Sequence, residues 1–401
     1  MNFLPKNVEI TVKIAKNLAQ NTNNLLKEIG FITEKTLFIS DEKIVANCKQ
    51  FYEKPFESTF GKVLILQDPK PDEENLTKII DAAKNYDFVV GLGSGVINDL
   101  CKFSSFKNDK PYAIFASAPS MNGYLSKNAS LIINDHKKSL SATLPKAVFC
   151  DLDILKNAPK KMIKAGIGDI MCFYGCWFDW LLSHLLLGTE FKPECFTILV
   201  EKMQFFTENY HKFSLEDDEF LQILIEILLL SGHSMTMAQS SNPTSQSEHL
   251  IAHSLTMKYP QIEISAPHGL QIATTCLTTA KIQEELLAQD FIEMRDFRFN
   301  EEKITKFFGT KIAKECQKEY SQKQELIKQN HKFLQQELSQ NWRDYCTILS
   351  RVFFCEQNLR DIFKHFAIDV GINTFGLDID EYKEAVGVAR FIRNRFTCLD
   401  L

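Results

Sequence analysis

Three histidines and an aspartate in this chain have the types and spacings that a divalent cation requires. In Ser247-Glu-His-Leu-Ile-Ala-His253 the imidazoles of His249 and His253 stand four residues apart, so on a helix they share one face. A third opens the next helical pattern, in Pro267-His268-Gly269. Upstream, Ala165-Gly-Ile-Gly-Asp169 sets a carboxylate just after two glycines, at what reads as the start of a helix. One carboxylate with two imidazoles leaves coordination positions open for a substrate oxygen, as Lewis-acid catalysis needs. Taken singly, each histidine is more often a satisfied interior or surface residue than a ligand, and it is their grouping that argues for a metal.

A second chemical signal lies in Asp87-Phe-Val-Val-Gly-Leu-Gly-Ser-Gly-Val-Ile-Asn-Asp99, an apolar strand running through Gly91, Gly93, Ser94 and Gly95 into a helix. Backbone N–H groups approach phosphate oxygens closely only where no Cβ intervenes, and a helix N-terminus adds the positive end of its dipole. The spacing is not G-x-G-x-x-G, and the turn follows the third strand candidate instead of the first; a tight structural turn is the alternative. An earlier strand ends Phe38-Ile39-Ser40-Asp41, where Asp41 is placed to accept from an adenosine ribose and to favour NAD over NADP, or equally to cap the next helix.

The elements around these residues divide the chain. Strand candidates are residues 36–39, 63–66, 88–91, 112–116 and 147–150, with helical patterns over 12–29 and 76–84 between them. That alternation predicts an α/β N-terminal dinucleotide-binding domain, residues 1–158, built on a mostly parallel sheet. Beyond Pro159 the apolar periodicity is helical over 160–187, 193–211, 215–239 and 247–257, which predicts an all-α C-terminal metal- and substrate-binding domain, residues 159–401. The Lys/Glu/Gln-rich run from Asn300 to Trp342 reads as helix with a solvated charged face, its apolar positions including Ile304, Phe307 and Phe308.

A net charge of −5 argues against nucleic acid or an anionic membrane surface as partner and leaves small molecules. The N-terminal residues show no secretory signal pattern. The most apolar stretch, 220–230, is interrupted by Glu226 and too short for a hydrocarbon layer of roughly 30 Å. The expectation is a cytoplasmic protein without a transmembrane segment, a homo-oligomer being compatible with the sequence. Eleven cysteines without a C-x-x-C pair fit reduced core thiols, Cys101, Cys150 and Cys172 among them.

Together the motifs resemble the sn-glycerol-1-phosphate dehydrogenase branch of the superfamily that joins iron-containing alcohol dehydrogenases, glycerol dehydrogenases and dehydroquinate synthases. The similar pieces are Gly91-Leu-Gly-Ser-Gly-Val-Ile-Asn-Asp99, Ala116-Ser-Ala-Pro-Ser-Met-Asn-Gly-Tyr124, Pro145-Lys-Ala-Val-Phe-Cys-Asp-Leu-Asp153, Ala158-Pro, Ala165-Gly-Ile-Gly-Asp169, Asn242-Pro-Thr-Ser-Gln-Ser-Glu-His249 and His268-Gly269, in family order. The resemblance implies a dehydroquinate synthase-like fold, with Asp169, His249 and His268 as ligands of one divalent ion (zinc first, then nickel or iron). His253 is then left beside the substrate for proton transfer or phosphate contact. It also implies NAD or NADP as cofactor, with Gly93, Ser94, Gly95 and Asp99 around the pyrophosphate, and Ser117 and Ser120 towards the nicotinamide. Lys137 or Lys138 would meet a substrate phosphate.

Two positions depart from the branch. Asn122 replaces a usual Asp and loses a carboxylate that would accept from substrate hydroxyls, although the position still belongs with His253 and Lys138 in the expected catalytic set. Asn242 replaces a usual Arg and loses a bidentate cation. The expected reaction is reversible hydride transfer between NAD(P)H and a small phosphorylated ketone, foremost dihydroxyacetone phosphate and sn-glycerol 1-phosphate. The rivals are a related polyol or phospho-sugar dehydrogenase, a dehydroquinate synthase-like cyclase that uses NAD transiently, and a dinucleotide-binding protein without catalysis.

Overall fold

The computed structural model describes residues 9–52, 59–133 and 136–401, with only the backbone for His136 and Lys137. Six strands form one parallel sheet: β1 Thr11–Ala15, β2 Thr36–Asp41, β3 Lys62–Leu66, β4 Phe88–Gly93, β5 Tyr112–Ala116 and β8 Ala147–Asp151, in the order β1-β8-β5-β4-β2-β3. Burial on both faces explains their composition: β5 and β8 are buried along their whole length, and Phe38, Val90, Phe115 and Phe149 form one core with Leu25, Leu26 and Ile154. Each such buried aliphatic or aromatic side chain contributes about 1.5–3 kcal/mol.

The five expected strands are present, but two features differ from the sequence reading. Residues 11–15, read as the start of a helix over 12–29, are the edge strand β1, and the helix is only Thr22–Glu28. Parallel pairing of Val12 with Val148 and Ile14 with Cys150 overrides the local periodicity, a contact across more than 130 positions that no local window contains. The strands β6 Asn128–Ile133 and β7 His136–Ser141 form an antiparallel hairpin that was not anticipated.

By packing, the chain forms two compact units, Met1–Gly166 with Lys202–Thr236, and Ile167–Glu201 with Met237–Leu401. This is not the single cut after residue 158 that the change of periodicity suggests. Residues 202–236 are helical, as read, yet pack on the first unit: Gly232 lies so close to Asn122 that a Cβ there would stand 2.1 Å from the Asn122 carbonyl oxygen, and Thr236 donates to Leu125 O at 3.0 Å. The apolar 220–230 stretch is the middle of the helix Asp218–Ala238, with Phe220, Leu221, Leu224, Ile225 and Leu228 fully buried, as in a core helix.

The regular elements of the second unit are all helices among its described residues. The helix Ser247–Lys258 turns Leu250, Ile251 and Leu255 into a core shared with Ile304, Phe307, Tyr320 and Val388. The Lys/Glu-rich run is helical as expected over Glu301–Phe308 and Thr310–Gln329, and Ile304 and Phe307 are its buried face. The last residues, Thr397 to Leu401, are buried, and Asp400 forms an ion pair with the buried Lys323 at 2.9 Å.

Candidate functional site

In the first unit, β2, β4 and β5 are parallel neighbours whose carboxyl ends carry Asp41, Gly93 and, one residue past β5, Ser117. That edge is where ligands of open parallel sheets bind. The turn after β4 leads at once into the helix Gly95–Asn108. Gly93 is demanded by packing, since a Cβ there would sit 2.3 Å from Ile97 Cβ. Gly95 is not: its Cβ would meet only Met121 Cγ at 3.8 Å. A glycine that the packing does not require, at the first turn of a fourteen-residue helix, fits a backbone kept bare for a phosphate.

The structure brings Ser117 and Ser120 to the same turn. Ser117 N–H donates to Gly93 O at 3.0 Å, the Ser94 and Ser120 hydroxyls are 2.6 Å apart, and Tyr124 donates to Ala118 O at 2.9 Å. Asp99, which the resemblance sets by the pyrophosphate, also has partners within the unit. Its Oδ2 accepts from Ser130 N–H at 3.0 Å and its Oδ1 faces Lys102 at 3.5 Å, while Lys102, fully buried, donates to Gly123 O at 2.7 Å and Asn128 O at 2.9 Å. Burial pushes the Lys102 ammonium below its usual value, against the pull of Asp99. Asp41 caps the helix Glu42–Cys48 by accepting from Ile44 N–H at 2.8 Å, one of the two uses its position allows. Asn122 is half-buried, its amide 3.5 Å from Ser231 Oγ, and Lys138 is exposed on β7 opposite Leu131. The side chain of Lys137 lies outside the described residues.

In the second unit the metal candidates converge. Donor atoms of Asp169, His249 and His268 all lie within 4.8 Å of one another, with Asp169 and His249 buried. Asp169 stands at the end of the helix Lys160–Ile170, not at the start of one as its two glycines suggest. Gly168 has another purpose: a Cβ there would lie 2.0 Å from Gly269 O, so only glycine lets this helix reach the first turn of His268–Leu287 and bring Asp169 beside His268. The Nε2 atoms of His249 and His268 are 3.3 Å apart. His253 shares the face of His249, as read, with its ring 6.0 Å from that of His249 and 6.2 Å from that of His268. Two imidazole nitrogens and a carboxylate oxygen aimed at one buried point are the donor set of a divalent transition metal, so these residues fit such an ion.

Cys172, Glu248 and His249 form a second close group. Cys172 and Glu248 are both engaged in hydrogen bonds around the first group. Cys172 Sγ is 3.1 Å from Asp169 O and 3.6 Å from Thr244 O as a donor, and Glu248 Oε1 is bonded to His249 Nδ1 at 2.7 Å. Burial acts to raise the Glu248 carboxyl, but the hydrogen bond and charge of His249 prevail and hold it below the ordinary value. Beneath lies Asp179, fully buried, accepting from Ser247 N–H at 3.1 Å, Ser247 Oγ, Cys398 N–H at 3.0 Å and Gln283 at 3.2 Å. Burial pushes this carboxyl up to about 6. Neither Glu248 nor Asp179 was singled out from sequence; the adjacency of Glu248 to His249 was the one available signal. At the turn holding Asn242 a guanidinium does arrive, from Arg395, which donates to Ser245 O, to Ser245 Oγ at 2.8 Å and to Ser241 Oγ at 2.5 Å. No carboxylate lies within ion-pair distance of Arg395 among the described residues.

A family profile for iron-containing alcohol dehydrogenases matches residues 13–159. The glycerol-1-phosphate dehydrogenase (NAD(P)+) of Pyrococcus horikoshii is 32% identical over 271 residues, 65% of this chain and 74% of that one. The protein of the same name from Bacillus subtilis is 31% identical over 229 residues, 56% of this chain and 57% of that one, so the chain spans little more than half the length of this relative. In solved structures the fold is that of a probable glycerol dehydrogenase from Sinorhizobium meliloti, with 14% identity, TM-score 0.61 and coverage of 95% and 88%. It is also that of the sulfoacetaldehyde reductase of Bifidobacterium kashiwanohense in complex with NAD+, with 14% identity, TM-score 0.61 and coverage of 98% and 95%.

Proposed function

The chain belongs to the iron-containing alcohol dehydrogenase family, in its glycerol-1-phosphate dehydrogenase branch, and from that premise we propose that it is a metal-dependent NAD(P)-linked dehydrogenase acting on a small phosphorylated ketone, best represented by dihydroxyacetone phosphate. The observation that carries this reading is the convergence of Asp169, His249 and His268 on one point in a chain that also presents the Gly93-Ser94-Gly95 turn.

In this reading Asp169, His249 and His268 hold a divalent cation, and the turn at 93–95 with Ser117 and Ser120 holds the dinucleotide. The cation would offset negative charge developing on the ketone oxygen, and the nicotinamide would supply the hydride. The protein's own part is to position and to move protons. Backbone N–H groups at the start of Gly95–Asn108 receive phosphate oxygens, and His253, beside the two histidine ligands, delivers a proton to the product oxygen. For the substrate phosphate the reading puts forward Lys138 and Arg395, the second because its guanidinium is held by serine oxygens alone. Free thiols at all eleven cysteines suit a reducing cytoplasm.

The test is consumption of NADH and NADPH with dihydroxyacetone phosphate, dihydroxyacetone and a panel of phosphorylated sugars, with and without added zinc or nickel. The expected result is metal-dependent oxidation of the dinucleotide, with the highest kcat/KM for dihydroxyacetone phosphate. Release of phosphate with no net change in NADH would mean a synthase and overturn the reading.

A further inference from the structure

We propose that Glu248 is a positioning residue for the metal centre, selecting the tautomer of His249 so that Nε2 and not Nδ1 is the ligand atom. This deepens the reading above and rests on it.

A neutral imidazole carries its proton on one nitrogen, and the partner of that nitrogen decides which. Glu248 Oε1 sits 2.7 Å from His249 Nδ1, and a carboxylate only accepts, so the proton is on Nδ1 and the bare lone pair on Nε2. His249 Nε2 is 3.3 Å from His268 Nε2, and donor atoms of both histidines and Asp169 lie within 4.8 Å of one another. Oε1 is itself fixed by two further donors, Gln246 N–H at 2.8 Å and the Cys176 thiol at 3.1 Å. Burial holds the Cys176 thiol protonated, so it remains a donor. Glu248 Oε2, by contrast, is buried with no hydrogen-bond partner, close to where a Cβ of Gly175 would stand. All the fixing is therefore on the oxygen that meets His249. A carboxylate needed only to cap the helix Ser247–Lys258 would have no reason to be bonded in this way to the imidazole. Such a hydrogen bond also makes the coordinating nitrogen a better donor, and losing it commonly weakens metal binding by about 10–100-fold.

The experiment measures zinc affinity of the full chain by competition with a chromophoric chelator, for wild type, Glu248→Gln, Glu248→Ala and His249→Ala, with thermal melting of each metal-free protein alongside. Glu248→Gln keeps the shape of the side chain and can still accept on the oxygen that meets His249. Its affinity is expected to fall about tenfold, with its melting temperature close to wild type. Glu248→Ala should fall further, and His249→Ala should retain no zinc above background. Wild-type zinc affinity in both Glu248 variants, with His249→Ala defective, overturns this inference alone. Wild-type affinity in His249→Ala overturns the metal centre itself and this inference with it. A second readout needs no substitution at Glu248: nitrogen NMR of histidine-labelled, metal-free wild type should show the His249 signal, assigned by its loss in His249→Ala, protonated at Nδ1. Protonation at Nε2 would also overturn the proposal.

Discussion

The two chemistry-bearing regions are built by opposite means. At residues 93–95 the first unit leaves side chains out, and what is offered is backbone and a helix end. Around Asp169, His249 and His268 the second unit crowds titratable side chains into its interior, with Glu248 and Asp179 buried beneath them. The first kind of region needs few neighbours, because backbone groups exist wherever the chain turns. The second must find partners for its buried carboxylates, so Asp179 draws in Ser247, Gln283 and Cys398 from distant parts of the sequence.

The contrast is most exposed to a loss of ligands. Asp169→Asn, His249→Ala or His268→Ala should each lower turnover about a thousandfold, the scale of losing the charge that stabilises a developing oxyanion, with dinucleotide KM little changed. Steady-state kinetics in excess zinc checks this, and a large rise in dinucleotide KM would show that the two regions are not separable as described.

A smaller effect concerns the charge beneath the ligands. The Asp179 carboxyl, raised to about 6, binds a proton more tightly in the folded chain than in the unfolded one, where an aspartate titrates near 3.9. Its contribution to stability is therefore fullest below about pH 4 and is lost as pH rises through about 6. Between about pH 4 and pH 7, wild type should lose about 2 kcal/mol relative to Asp179→Asn in urea unfolding. A difference that does not vary with pH would mean that this buried carboxyl is not a cost to the fold at neutral pH.

The smallest expected effect sharpens the other side. Gly95→Ala meets no clash, so its melting temperature should match wild type while dinucleotide KM rises about tenfold through obstruction of phosphate approach. Gly93→Ala, driven into Ile97, should lose stability instead. If Gly95→Ala binds the dinucleotide normally, the turn is structural only.

How far each region was legible follows from the same contrast. The turn at 93–95 and the strands β2, β3, β4, β5 and β8 are contiguous and carry their signal locally. Asp169, His249, His253 and His268 were legible as residue types, but Gly168 was misread, because its purpose is the approach of Gly269, a hundred positions away. Strand β1 and the placement of 202–236 were hidden for a like reason: Val12 is a strand residue because of Val148, and the helices of 202–236 look the same whichever unit they pack on. The bond of Asp99 to Ser130, within β6, joins residues 31 positions apart, and no motif announces it or the contact with the buried Lys102. Glu248 carried only the weak signal of its adjacency to His249, because an acidic residue beside a histidine on a helix ordinarily faces water.

The central claim is that three distant side chains meet around one ion, and anomalous diffraction from crystals grown with zinc tests it most directly. The account predicts a single strong site per chain with a carboxylate oxygen of Asp169 and the Nε2 atoms of His249 and His268 each at roughly 2 Å. Zinc bound instead through Cys172 or Cys176, or no ordered site at these residues, would contradict it.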